Sequence, residues 1–188
     1  MLISVKCTGK PDNRENSKKV YAVLEQIHFF EVLENWLQKH FLNYVSLKAI
    51  KCVLVSTEIL GEGLVKYNGF AQKVRDVYYI YVEHGMSVER TVSILVHEIA
   101  HIELENIFRE YEENCRTQVE KELEEETVIF LGHYILDKMF GIRRYDISLE
   151  EHNWYLNEFC LDINENNIVE SLYRWLEKRQ KSKMEEKT

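Results

Sequence analysis

Ser93-Ile94-Leu95-Val96-His97-Glu98-Ile99-Ala100-His101-Ile102 decides how the rest of the chain is read. It holds His-Glu-x-x-His inside a run with helical periodicity. On a helix, positions four apart differ by about 40° around the axis and about 6 Å along it. His97 and His101 therefore share a face and can both reach one metal ion. Glu98, one position on, can flank that ion and take a proton from water, the arrangement used by zinc hydrolases. Val92, Leu95, Val96, Ile99 and Ile102 give the helix a broad apolar surface, and burying it would hold the two ligands rigidly. Two histidines can also fall at this spacing by coincidence on a core helix. A strand-like segment before the motif, an apolar helix around it and an acidic helix after it favour the metal site.

Working outward, Val77–Val82 is β-branched and aromatic and reads as a strand ended by Glu83-His84-Gly85; Ala49–Val55 reads as another, buried strand. Between them, Gly61-Glu62-Gly63 and Asn68-Gly69 punctuate a turn region around Leu64–Tyr67, without the spacing of a phosphate-cradling loop. Ser87 suits the N-cap of the motif helix, with Glu89 opposing its dipole, and that helix is expected to reach about Phe108. Arg109–Arg116 reads as a polar connection, followed by a helix from about Thr117 to Phe140 that Gly141 stops.

At the other end, residues 1–16 read as a short apolar piece and a polar loop. Val20, Leu24, Ile27, Phe30, Leu33, Leu37 and Phe41 then recur at helical spacing, predicting one long amphipathic helix over Ser17–Asn43. Ser148 caps a helix through about Leu161, Asn164 a last one, and the charged run Glu177–Thr188 reads as a fraying tail. The fold class expected is α+β, with an N-terminal helical extension at 1–45, a metal-site domain at 46–162 and a C-terminal helix and tail at 163–188.

Composition narrows the function classes. The chain has 188 residues, 45% of them hydrophobic and 30% charged, enough for a real core. One proline and seven glycines argue for long helices. A net charge of −8 argues against direct nucleic-acid binding through a general basic surface. Cys7, Cys52, Cys115 and Cys160 lie far apart, so no cysteine-based zinc site is expected. Neither a secretory signal nor a membrane span is visible, and a reduced, cytoplasmic location is the expectation.

Two histidines do not complete a zinc site, which in hydrolases takes a third protein ligand and keeps a place for water. A histidine six residues past His101 is absent, because Ile107 stands there. The downstream helix offers Glu120, Glu122, Glu124, Glu125 and Glu126 instead. Of these, Glu122 and Glu126 fall near one stripe with Ile129 and His133, Glu125 lies only partly off it, and Glu124 points largely elsewhere.

Leu95–His101, together with Glu122-Leu123-Glu124-Glu125-Glu126-Thr127-Val128-Ile129-Phe130, resembles the ImmA/IrrE metallopeptidase superfamily, and most closely the peptidase-like domain of ArdC antirestriction proteins. The resemblance covers about Tyr67–Leu156. It implies a zincin-like, gluzincin-type fold with one Zn2+ per chain, held by His97, His101 and Glu122, with Glu98 as the catalytic base. Glu126 matches the polar position four after the ligand, where it would support a ligand by hydrogen bonding, and it stands as the alternative ligand, since Glu125 and Ile129 replace alanines of the family pattern. His133, Tyr134, Tyr145 and His152 are candidates to stabilise an oxyanion. Val77–Val82 would be the edge strand on which an extended peptide pairs. The implied activity is zinc-dependent hydrolysis of peptide bonds in a protein substrate, such as a helix-turn-helix repressor of a mobile element. The alternative is a non-proteolytic zinc-binding protein that acts by association in antirestriction or regulation.

Overall fold

A computed structural model of the chain describes residues 11–41, 44–55, 69–83, 85–115, 119, 121–143, 148–160 and 166–186. These residues form a mixed α+β fold with one three-stranded sheet and several helices. The chain divides into two compact units, residues 1–36 with 45–99, and residues 37–44 with 100–188.

The first unit opens with α1, Pro11–Gln26, where the proline takes a first-turn position that needs no amide hydrogen. The helix therefore starts where a loop is expected from the sequence. It also ends early, and α2 runs separately over Phe29–His40. His28 adopts a left-handed φ of 50°, its amide donating to the Glu25 carbonyl, and Val32 N–H donates to the His28 carbonyl to start the next helix. The single helix expected over Ser17–Asn43 is thus two, because the apolar spacing continues across a break that only the backbone reveals. Glu34 of α2 then accepts from the Ser46 hydroxyl at 2.8 Å and from the Leu47 amide at 2.6 Å, anchoring the entry to the sheet.

Strands β1 (Ile50–Val55), β2 (Gly69–Val74) and β3 (Val77–Glu83) lie in the order β1-β3-β2. β1 runs parallel to β3, with Cys52 opposite Ile80, and β2 antiparallel to it, with Gly69 opposite Val82. β3 is therefore the central strand, not the edge strand expected from the sequence; its alternation of Tyr78, Ile80 and Val82 with Val77, Tyr79 and Tyr81 gives it apolar groups on both faces. β2 was not anticipated. Its pattern is weak, and it joins β3 through the two-residue turn Arg75-Asp76, in which Arg75 takes a φ of 56° where glycine is usual. Leu64–Tyr67 and the neighbouring glycines Gly61 and Gly63 lie outside the described residues.

One face of the sheet buries Ile50, Cys52, Leu54, Tyr78, Ile80 and Val82. Cys52 and Leu54 meet Val20, Tyr21 and Leu24 of α1 and Thr91 and Leu95 of the next helix around a small apolar pocket. Each such aliphatic side chain contributes roughly 1.5–3 kcal/mol when fully buried. On the other face Val53 and Val55 pack with Phe70, Tyr79 and Tyr81, and Phe70 stacks on Tyr81 with ring centres 4.6 Å apart.

The helix carrying the motif, α3, spans Val88–Cys115. Ser87 caps it through a hydrogen bond accepted from the Arg90 amide at 3.2 Å. It continues past Phe108 through the stretch expected to be a connection, since Tyr111 supplies another buried contact. In the second unit α4 (Lys121–Ile135) runs into a π-helical turn, Leu136–Phe140, stopped by Gly141 at a φ of 60°. Ser148 and Glu151 form a reciprocal capping box at the start of α5, Leu149–Cys160. The last helix, α6, spans Ile168–Glu186 and is capped by Asn167, whose side chain accepts from the Glu170 amide at 3.1 Å. Asn164, the expected cap, lies outside the described residues. The expected fraying tail is helical as far as Glu186. Trp175 anchors it, 2% exposed, with its ring centre 4.0 Å from that of Phe130 and its indole N–H donating to Thr127 Oγ1 at 3.3 Å. No helix among the described residues is long and apolar enough to cross a membrane.

Candidate metal centre

From Thr91 to Leu104, α3 is buried at every position except His97 and His101. The two half-open positions lie one turn apart, so the helix is surrounded by protein except at the pair of imidazoles. Leu95, Val96, Ile99 and Ala100 are at most 1% exposed and leave the helix little freedom to rotate or shift.

Glu98 is buried at 6% exposure, next to His97. Gly69, the first residue of β2, explains part of that burial. A Cβ at Gly69 would lie 2.6 Å from Ile94 Cγ2, 3.0 Å from the Tyr81 carbonyl oxygen and 3.7 Å from Glu98 Oε1. The backbone of β2 thus lies directly against the Ile94 side chain of α3, and any side chain at position 69 would clash there.

Across from His101 stands the first turn of α4. Glu125 Oε1 lies 3.3 Å from His101 Nε2, and Glu124 Oε1 lies 3.8 Å from His101 Nδ1. One carboxylate therefore faces each ring nitrogen. His97, His101 and Glu125 each offer a ligand atom, all within 4.8 Å of one another. Zinc bonds of about 2.0–2.2 Å set donor atoms roughly 3.4 Å apart in a tetrahedron, close to the His101–Glu125 separation. Two imidazoles and a carboxylate are also a donor set that suits zinc. The residues fit a metal ion.

Glu122 is placed differently from the sequence expectation. Its side chain is 86% exposed and pairs with Lys183 at 3.6 Å. Glu126 lies on the same stripe as Glu122, and its two oxygens accept from Arg179, from Nε at 3.3 Å and from Nη2. α4 thus turns Glu124 and Glu125 to the histidine and Glu122 and Glu126 to α6. That division follows from the 100° step of the helix once α6 has taken one stripe. The sequence held one signal of it: Arg179 and Lys183 repeat the four-residue spacing of Glu122 and Glu126.

His133 is buried at 1% exposure, eight residues along α4 from Glu125, which is about 12 Å along the axis. Tyr134 is buried as well, at 3%. Tyr145 lies outside the described residues, and so does the side chain of His152 in α5. Cys52 takes no part in the site; complete burial pushes its thiol up to about 12.

No protein-family model, no curated protein and no solved structure matches this chain.

Proposed function

We propose that the chain is a zinc-dependent peptidase of the ImmA/IrrE type, with His97, His101 and Glu125 holding the ion and Glu98 serving as the base. The observation that carries this reading is the single opening in the buried stretch of α3. It consists of two histidines one turn apart, with a carboxylate at 3.3 Å from one of them. A core helix gains nothing from leaving those two positions open.

When bound, zinc supplies Lewis acidity, polarising a carbonyl oxygen and lowering the pKa of water to about 7. Glu98 accepts a proton from the attacking water at a carboxylate oxygen and returns it to the departing amide nitrogen, so that no free charge builds up on either. Glu124, 3.8 Å from Nδ1 of His101, places a negative charge beside the ring nitrogen opposite the one that faces Glu125. β2 begins beside Glu98, and its outer edge pairs with no other strand among the described residues. An extended segment of a protein substrate adds to that edge. A helix-turn-helix repressor of a mobile element fits as the substrate by the family resemblance.

The test is a zinc assay paired with Glu98→Gln. The expected outcome is one zinc per chain in both proteins, with peptide hydrolysis reduced by about 10²–10⁴-fold in the variant, the usual contribution of a general base. Zinc retained and the cellular function untouched in Glu98→Gln would instead support the non-proteolytic, antirestriction-type role.

A further inference from the structure

The acidic turn of α4 presents four carboxylates to solvent and neighbours, yet only Glu124 and Glu125 face His101. Something must set that rotation, because a turn of 100° would bring Glu126 round in place of Glu125. α6 runs antiparallel along α4, pairing Glu122 with Lys183, Glu126 with Arg179, and Thr127 and Phe130 with Trp175. The two ion pairs are unequal. Lys183 meets a carboxylate that is 86% exposed, and such pairs contribute little. Arg179 meets Glu126 with both side chains about three-quarters buried, at 28% and 23% exposure. It grips both oxygens in the two-pronged geometry that a guanidinium favours. Arg179 is itself held, with its guanidinium carbon 5.5 Å from the Trp175 ring centre. The chain of support runs from Phe130 to Trp175 to Arg179 to Glu126.

We propose that Arg179 is a positioning residue for the metal centre. Its grip on Glu126 sets the rotation of α4 that turns Glu125 to His101, and it engages Glu126, the next carboxylate along the helix, so that this group is not offered to the ion. The inference rests on the metal reading of His97, His101 and Glu125. A helix–helix ion pair that merely stabilised the second unit would shift melting temperature without changing metal affinity in the folded protein.

The measurement is zinc affinity by chelator competition on the full chain, in a double-mutant cycle of Arg179→Gln and Glu126→Gln, with apoprotein melting temperatures alongside. Arg179→Gln is expected to weaken zinc binding roughly tenfold, the lower range for an outer-shell partner of a metal site. In the Glu126→Gln background, the same substitution is expected to have no further effect, because the grip is already gone. Unchanged affinity in Arg179→Gln overturns the inference, as does an equal loss in both backgrounds. If Arg179→Gln does not fold, Arg179→Lys carries the same cycle, since it keeps the charge and loses the fork. The unsubstituted protein separates the two claims. If it binds no zinc, the metal reading fails and this inference with it; if it binds zinc and the cycle is flat, only the role of Arg179 falls.

Discussion

His97 and His101 are held by the helix that carries them, whereas Glu125 is held by what surrounds its helix. The middle of α3 is buried on all sides but one, so packing fixes both its rotation and its height. The first turn of α4 is mostly open, with Glu124 and Glu125 at 43% and 42% exposure. Its orientation comes from Leu123, Thr127 and Phe130 beneath it and from Arg179 at its side. Of the three residues that could hold an ion, the two histidines are therefore part of a core and Glu125 is a surface residue in a chosen rotation.

The largest effects expected separate these two modes at the ion itself. His101→Ala should weaken zinc binding by more than about 100-fold, beyond the range of an outer-shell loss. Glu125→Gln should approach that loss, while Glu122→Gln should leave affinity unchanged, as read by chelator competition. The opposite order for the two glutamates would mean that α4 rotates on loading and that its rotation in this structure is one of two. Next in size, Ile99→Ala removes a side chain 1% exposed between the two histidines. It should lower unfolding free energy by about 2–5 kcal/mol in denaturant titration. Glu124→Ala should stay within about 0.5 kcal/mol, as surface substitutions do. An equal cost for both would break the contrast between the core-held middle of α3 and the surface-held start of α4.

The same contrast explains how much of the molecule could be read from residues. The motif is local: four-residue spacing on an apolar helix places His97 and His101 without reference to anything else. The strands β1 and β3, the Ser87 and Ser148 caps and the Gly141 stop are local in the same sense. The choice among Glu122, Glu124, Glu125 and Glu126 is not. It is a rotation of α4, and it depends on a partner more than fifty residues downstream in a segment whose charges suggested a fraying tail. β2 is not legible in the residues because Gly-Phe-Ala-Gln-Lys-Val has little β signature and Arg75 replaces the expected turn glycine. The break at His28 is hidden in the residues because a single left-handed residue leaves the apolar period intact on both sides.

An effect confined to high pH concerns the sheet against which the first half of α3 packs, and it vanishes at neutral pH. Cys52 sits with Leu95 around the apolar pocket, fully buried, and its thiol is pushed up to about 12 from an ordinary value of 9.0. A thiol whose folded value is raised stays protonated in the native state while the unfolded chain ionises. The native state then binds more protons, so stability falls as pH rises through the unfolded value. The loss begins near pH 9 and continues to about 12, at roughly 1.4 kcal/mol per pH unit. Lysines and tyrosines titrate in the same range, so the quantity to measure is a difference. Unfolding free energies of the parent and Cys52→Ala should differ by a constant below pH 9 and converge above it. A difference that stays constant to pH 11 would mean that water reaches the thiolate. The sheet under α3 would then be looser than its packing implies, and the histidines less firmly held than Glu125 is.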